Sequence, residues 1–279
     1  MACDLHCHSC YSFDGKPTLT EICSGAASRR VDIVATTDHC DMTLGPEGIS
    51  SYLNNEAQRR SEYEALMKRG FGISELLYGI EVGNPIDMPV ETEAFLRKRE
   101  FDFVIGSIHF LPDGADIYKL PYASEEEVDA MFRQYFASML DLARMGGFDS
   151  LAHLDYPLRV LRGKVREASV LQYRDLIEPI LEETAHRQIA LEINTRGTYD
   201  WQKRVGPEKW AVKRFRELGG KYVTIGSDAH TASLLGEGFD QAVALLSACG
   251  YDAYTIYRER KPVRIALRDD KEEMIAHVG

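Results

Sequence analysis

The chain has 279 residues, of which 44% are hydrophobic, so it can bury a full core, and β/α barrels commonly reach this size as one domain. Its formal net charge of −11 argues against broad electrostatic docking on nucleic acid or on an anionic membrane, while a small anionic substrate stays compatible with cations bound in a pocket. From this length we expect a single domain over residues 1–279. No apolar run approaches the ~20 residues needed to span a bilayer, and the N-terminus lacks signal-peptide features, so we expect a cytoplasmic location.

Apolar runs typical of strands alternate with amphipathic segments along the chain. The predicted strands cover residues 2–8, 31–37, 78–82, 101–106, 148–152, 189–194 and 222–225. The predicted helices cover residues 18–30, 51–69, 91–99, a segment from 124 onward, 167–187, 207–218 and 238–249. Thr18 with Glu21 and Ser124 with Glu127 match the capping-box pattern of a helix start. Because strands alternate with helices, the pattern favours crossover connections and a parallel sheet, here closed into a barrel.

Six of the eight histidines lie in short motifs at the ends of the apolar runs. His6 and His8 are two residues apart, so a strand would project both rings to the same face. The other four are His39, His109, His153 and His230. A single histidine at a strand end is usually a satisfied polar residue, but repetition over several strands points to shared chemistry. Because the active site of a β/α barrel forms at the carboxyl ends of its strands, this placement predicts a polynuclear metal site there.

Imidazole nitrogen and carboxylate oxygen without thiolate suit zinc, manganese or iron. The candidate donors are His6, His8, Asp14, His39, Glu81, His109, His153, Asp228 and His230. Nine donors exceed one tetrahedral ion, so we expect two or three metals, with Glu81 able to bridge two of them. Such a site favours hydrolysis by activated water.

A phosphorylated substrate would also need cationic donors, for which an arginine fork is well shaped. Arg196 occupies the functional end of a strand and is the better candidate. For Arg159, Arg162 and Lys164, a solvated basic loop is an equally good interpretation.

These motifs resemble the PHP family, named for polymerase and histidinol phosphatase, and within it the stand-alone histidinol-phosphate phosphatases. The matching segments are Asp4-Leu5-His6-Cys7-His8-Ser9, Thr37-Asp38-His39, Gly79-Ile80-Glu81, Gly106-Ser107-Ile108-His109-Phe110, Ala152-His153, Glu192-Ile193-Asn194-Thr195 and Gly226-Ser227-Asp228-Ala229-His230. The resemblance implies a distorted seven-stranded (β/α)7 barrel with three divalent metal ions, a mixture of zinc, manganese or iron that the sequence does not specify.

The resemblance also implies a role for each donor. The first ion is assigned to His6, His8, Glu81 and Asp228, the second to Glu81, His109 and His153, and the third to His39, His230 and Asp14. Some family members have histidine in place of Asp14. Arg159 and Arg196 are the implied phosphate clamps.

The implied reaction is hydrolysis of L-histidinol phosphate to L-histidinol and phosphate, a step of histidine biosynthesis. A hydroxide bridging two ions would attack phosphorus, with Glu81 as the bridge and Asp228 or His230 assisting proton transfer. Asp41, Asp113 and Asp116 are acids available to bind the leaving group, and the sequence does not rank them.

Two other functions stay open. One is a PHP phosphatase or exonuclease that acts on nucleotides or short oligonucleotides, although the shortage of basic residues weighs against long nucleic acid. The other is a catalytically silent metal-binding protein.

Overall fold

The structure is a computed structural model that describes residues 1–120, 124–161 and 169–267, and its centre is a nearly closed barrel. Its strands are β1 (Cys3–Cys7), β2 (Ile33–Thr36), β3 (His39–Asp41), β4 (Glu75–Gly83), β5 (Phe103–Ser107), β6 (Ser150–Leu151), β7 (Ala190–Asn194), β8 (Val223–Gly226), β9 (Ala253–Arg258) and β10 (Lys261–Ala266). Seven parallel strands follow the order β1-β2-β4-β5-β6-β7-β8, and a parallel bridge between Cys7 and Ala229 joins the last strand to the first. The predicted barrel is confirmed. The short β3, which was not predicted, continues the line of β2 along β4.

Helices follow the strands around the outside of the barrel. They are α1 (Leu19–Ser28), α2 (Pro46–Arg69), α3 (Pro89–Arg97), α4 (Glu125–Met145), α5 (Arg174–His186), α6 (Lys209–Glu217) and α7 (Phe239–Ala248). Both predicted capping boxes are present, at Thr18 and Ser124. Among the helices of the described ranges, none combines the length and apolarity that a membrane crossing requires.

Two predicted helix starts are wrong. α2 begins at Pro46, earlier than predicted, because proline is well suited to the first turn of a helix. α5 begins at Arg174, later than predicted, because the Glu208 carboxylate holds the preceding segment in a turn: the Ser169 hydroxyl and the Val170 N–H donate to it at 2.9 and 3.0 Å. Residues 167 and 168 lie outside the described ranges.

A buried arginine anchors α2 to the barrel. Arg59 Nε lies 2.6 Å from Asp38 Oδ2, and Arg59 Nη2 donates to the carbonyl oxygens of Thr36 and Gly79 at 2.9 and 2.8 Å. Both charged groups are buried, so this pair joins α2 to two strands at once.

The antiparallel hairpin of β9 and β10 covers the end of the barrel where the strands begin. The Tyr254 hydroxyl donates to the Met1 carbonyl oxygen at 2.7 Å, and Arg258 pairs with Glu75 at the start of β4. Arg260 Nε lies 2.5 Å from Asp149 Oδ2, just before β6. The functional residues are therefore found at the opposite end.

Candidate metal centre

The structure brings the nine predicted donors together at the carboxyl ends of the strands. His6 lies in β1, His39 begins β3 and Glu81 lies near the end of β4. The others follow strand ends: His8, Asp14, His109, His153, Asp228 and His230. Parallel strands end at one side of the barrel, which explains why residues so distant in sequence meet there.

The Glu81 carboxylate is the centre of the cluster. Five imidazole nitrogens surround it: His6 Nε2, His8 Nε2 and His39 Nδ1 lie 3.1, 3.5 and 3.2 Å from Oε2, and His109 Nε2 and His153 Nε2 both lie 3.2 Å from Oε1. Burial opposes ionisation of Glu81, but the facing rings, His6 first among them, hold the pKa of its carboxyl well below its usual range. One carboxylate therefore connects two groups of histidines.

A second carboxylate, Asp14, lies at the open side of the cluster. Its Oδ2 is 2.9 Å from His230 Nε2 and 3.5 Å from His39 Nε2. His230 Nδ1 lies 2.9 Å from the Asp228 carbonyl oxygen and 3.1 Å from Arg196 Nη1. A guanidinium only donates and a carbonyl oxygen only accepts, so these two contacts at Nδ1 favour opposite tautomers of His230.

The donor set fits divalent cations. Both ring nitrogens of His8 and the Nδ1 atoms of His39 and His153 are buried without a hydrogen-bond partner in the described part of the chain. A buried polar atom without a partner costs about 1–3 kcal/mol, so a native protein rarely leaves four in one place without a ligand. Burial and the neighbouring His39 and His230 rings lower the pKa of His8 well below its usual value, so His8 stays neutral, as a metal ligand must be.

The donors form four groups, and within each group the ligand atoms all lie within 4.8 Å of one another, close enough to hold one ion. They are His6, His8 and Glu81; Glu81, His109 and His153; His8, Asp14, His39 and His230; and His39, Asp41 and His109. The first three correspond closely to the predicted sets for three ions. Asp228 is near the first of these groups, with Oδ1 3.5 Å from His8 Nε2 and 4.0 Å from His6 Nε2.

Two carboxylates contact the histidines on the side away from Glu81, a role that was not predicted for either of them. Asp41 Oδ1 lies 2.9 Å from His109 Nδ1, and Glu192 Oε1 lies 2.6 Å from His6 Nδ1. Burial disfavours a charged His6 ring, yet Glu81 and Glu192 together raise the pKa of His6 well above its usual value. The same negative field would favour a cation at this ring. For Glu192, the available sequence signal was an acidic residue inside an otherwise apolar strand.

The structure distinguishes the three acids proposed for the leaving group. Asp41 is buried and engaged by His109, so it is not available for a substrate amine. Asp113 is exposed in a turn, where it accepts from the Ala115 N–H. Asp116 is half-buried and pairs with Lys119 at 2.9 Å.

The two predicted phosphate clamps converge on Asp228. Arg159 Nη1 lies 2.6 Å from Asp228 Oδ2, its Nη2 donates to Asn194 Oδ1 at 2.9 Å, and the guanidinium lies over the Tyr156 ring at 5.0 Å. Arg196 Nη1 donates to the Asp228 carbonyl oxygen at 3.0 Å. Burial opposes ionisation of Asp228, but Arg159 and Arg196 hold its pKa well below the usual range. Arg162 and Lys164 lie outside the described residues.

Comparisons with known proteins agree with this arrangement. A family model described as the PHP domain matches residues 4–196. A probable histidinol-phosphatase of Clostridium acetobutylicum is 31% identical over 256 residues, covering 89% of this chain and 94% of that protein. A probable histidinol-phosphatase of Thermotoga maritima is 30% identical over 268 residues, covering 95% and 99%. The crystal structure of histidinol phosphate phosphatase from Lactococcus lactis, complexed with zinc, L-histidinol and phosphate, superposes with a TM-score of 0.80 at 25% identity and covers 94% of this chain and 98% of that chain.

Proposed function

The chain belongs to the PHP domain family, and we propose that it is a metal-dependent phosphatase that hydrolyses L-histidinol phosphate to L-histidinol and phosphate. The observation that carries this proposal is the Glu81 carboxylate with five imidazole nitrogens within 3.5 Å, beside two arginines. The zinc, L-histidinol and phosphate bound by the Lactococcus lactis relative support it. We further propose that residues 1–279 form one domain, with a small phosphorylated molecule as its substrate.

We propose that the centre holds three divalent ions. Their ligand sets would be His6, His8, Glu81 and Asp228 for the first, Glu81, His109 and His153 for the second, and Asp14, His39 and His230 for the third. Zinc is supported by the relative, while manganese and iron suit the same donors. Bound there, the ions would supply a water activated for attack and would neutralise charge on the phosphoryl group.

The arginines would orient the phosphoryl group. Arg196 uses only Nη1 in contacts with other described residues, so Nε and Nη2 are left to bind phosphate oxygens. Arg159 is held more firmly, by Asp228 and Asn194, and would present the remaining edge of its guanidinium. A planar guanidinium binds two phosphate oxygens at once.

Of the two residues predicted to assist proton transfer, Asp228 is favoured. Its Oδ1 lies 3.5 Å from His8 Nε2 and 4.0 Å from His6 Nε2, so the carboxylate borders the place where the first ion would supply an activated water. His230 is a poorer carrier, because both of its ring nitrogens are engaged, Nδ1 by the Asp228 carbonyl oxygen and Arg196 Nη1, and Nε2 by Asp14.

Asp116 is our candidate for binding the ammonium group of L-histidinol. The segment that follows it, Ile117–Lys119, packs against the segment Tyr156–Leu161 that carries Arg159. The Asp116 charge also contributes, after burial and nearer groups, to the raised pKa of Tyr156. A carboxylate here would bind the amine while the arginines bind the phosphate.

The test is phosphate release by protein purified with zinc or manganese. L-histidinol phosphate should be hydrolysed with a higher kcat/KM than nucleoside monophosphates or short oligonucleotides. A variant with His6→Ala and His8→Ala should lose both metal and activity, while His186→Ala, an exposed histidine on α5, should keep both. Full activity of the double variant would overturn the proposal, and about three metal equivalents without hydrolysis of any ester would favour a silent metal-binding protein.

A further inference from the structure

Glu192 is a buried carboxylate on β7 that contacts three parts of the candidate centre. Its Oε1 lies 2.6 Å from His6 Nδ1. Its Oε2 accepts from the His153 backbone N–H at 2.7 Å and from Asn194 Nδ2 at 3.0 Å. We propose that Glu192 is a positioning residue that fixes the metal-binding and phosphate-binding halves of the site together, an inference that rests on the proposed function.

The first contact selects the tautomer of His6. A carboxylate only accepts hydrogen bonds, so the nitrogen 2.6 Å away must carry the proton. When a cation displaces the second proton, the ring keeps only this N–H, and the lone pair of Nε2 is directed toward the side of Glu81. Glu192 thereby presents His6 to a cation in the form that can bind it, and holds the ring plane in place.

The second contact stabilises an unusual backbone conformation. His153 has a φ of +21°, a region that residues other than glycine rarely adopt. Glu192 accepts from the His153 N–H, and the Tyr135 hydroxyl donates to the His153 carbonyl oxygen at 2.9 Å. These two bonds fix the peptide groups on either side of Cα, and the ring then lies with Nε2 3.2 Å from Glu81.

The third contact connects the cluster to the arginines. Because Glu192 can only accept, Asn194 must direct its NH₂ group toward Glu192. Its oxygen then accepts from Arg159 Nη2 at 2.9 Å and from the Arg196 N–H at 3.1 Å. A carboxylate on one strand is in this way coupled to the orientation of both proposed phosphate clamps.

The first test replaces Glu192 with glutamine, which keeps the shape of the side chain. In either orientation, the NH₂ group of the new amide faces another donor and loses a hydrogen bond: the His6 N–H on one side, or the His153 N–H and Asn194 Nδ2 on the other. We expect the two ions assigned to His6 and His153 to bind about 10–100-fold more weakly, as is usual when a partner of a ligating histidine is lost. The ion assigned to Asp14, His39 and His230 should bind as in the wild type.

Zinc titration against a competing chelator measures these affinities without any activity assay. Glu178→Gln, an acid on α5 that pairs with Arg214, is the matched control and should leave zinc affinity and phosphatase activity unchanged. Asn194→Leu separates the two halves: zinc should bind normally, while the KM for the phosphate ester rises. If Glu192→Gln binds zinc as tightly as the wild type, the inference is overturned.

A second measurement needs no variant and covers the case in which Glu192→Gln does not fold. In ¹⁵N-labelled wild-type protein loaded with zinc, His6 should show a protonated Nδ1 in slow exchange with water. A proton on Nε2, with the metal on Nδ1, would overturn the inference. Because both measurements report on metal and tautomer, they remain decisive even if L-histidinol phosphate proves not to be the substrate.

Discussion

Replacing Arg159 with methionine tests whether Asp228 belongs to the metal centre. The two groups form a 2.6 Å ion pair, with side chains only 9% and 5% exposed. Removal of one partner from a buried pair costs about 3–5 kcal/mol, because the remaining charge is left uncompensated. Arg196 stays 3.5 Å from Asp228 Oδ1, so we expect a loss of unfolding free energy at the lower end of this range, about 3 kcal/mol. This value applies to the chelated protein, from which a chelator has removed the metals.

Bound cations should reduce this loss. If Asp228 is a ligand, a divalent ion compensates its charge, so the variant should lose less than about 2 kcal/mol when metal is in excess. By linkage, the metals should bind the variant at least as tightly as the wild type, since the positive charge of Arg159 no longer opposes them. The KM for the phosphate ester should rise, because one clamp is absent.

The pH dependence of the ion pair has a definite sign. The pKa of Asp228 is held below its usual value of 3.8, so its contribution to stability is present above that pH and is lost as pH falls through the folded-state pKa. The penalty of Arg159→Met in the chelated protein should therefore be constant from about pH 8 to about pH 5.

Urea denaturation followed by circular dichroism, with chelator or with excess zinc, measures the loss. Arg59→Met is the control, because Arg59 and Asp38 form a buried pair with the same 2.6 Å distance outside the metal cluster. The penalty of Arg59→Met should not depend on zinc. An equal penalty for Arg159→Met in chelator and in zinc would refute the assignment of Asp228 to the metal centre.

Three further predictions concern other residues. Glu81→Gln should reduce the metal content by at least two equivalents and phosphate release by about 100-fold or more, and elemental analysis showing full metal content would contradict the bridging role. Asp116→Asn should raise the KM for L-histidinol phosphate about tenfold and leave that for an ester without an amine unchanged; equal changes for both esters would argue against ammonium binding. Cys10 is the exposed thiol among six free cysteines, and burial raises the pKa of Cys3 to about 12 and that of Cys23 to about 11. A thiol reagent should therefore modify one cysteine in native protein and six after unfolding.

The residues that present ligands could be predicted from the sequence, and those that orient the ligands could not. His109 follows an apolar strand, so its position at the carboxyl end of the barrel was predictable. Asp41 reaches it through β3, where His39 pairs with Glu81 and Asp41 with Gly83. A Cβ atom on Gly83 would lie only 1.7 Å from Asp41 Oδ1, so this contact depends on a glycine in the adjacent strand. Sequence patterns of single strands do not contain this relation between two strands.

Closure of the barrel explains why the whole site depends on the fold. At the seam between β8 and β1, the Asp228 N–H donates to the His6 carbonyl oxygen at 2.7 Å, and the His8 N–H donates to the Ala229 carbonyl oxygen at 2.9 Å. These bonds set Asp228 beside His6 and His8, although more than two hundred residues separate them in the chain. Glu192 lies on β7, the strand next to β8, and its side chain reaches His6 of β1 across the same seam. The first proposed ion would therefore bind residues from both sides of the seam, so its binding would also stabilise the closed barrel.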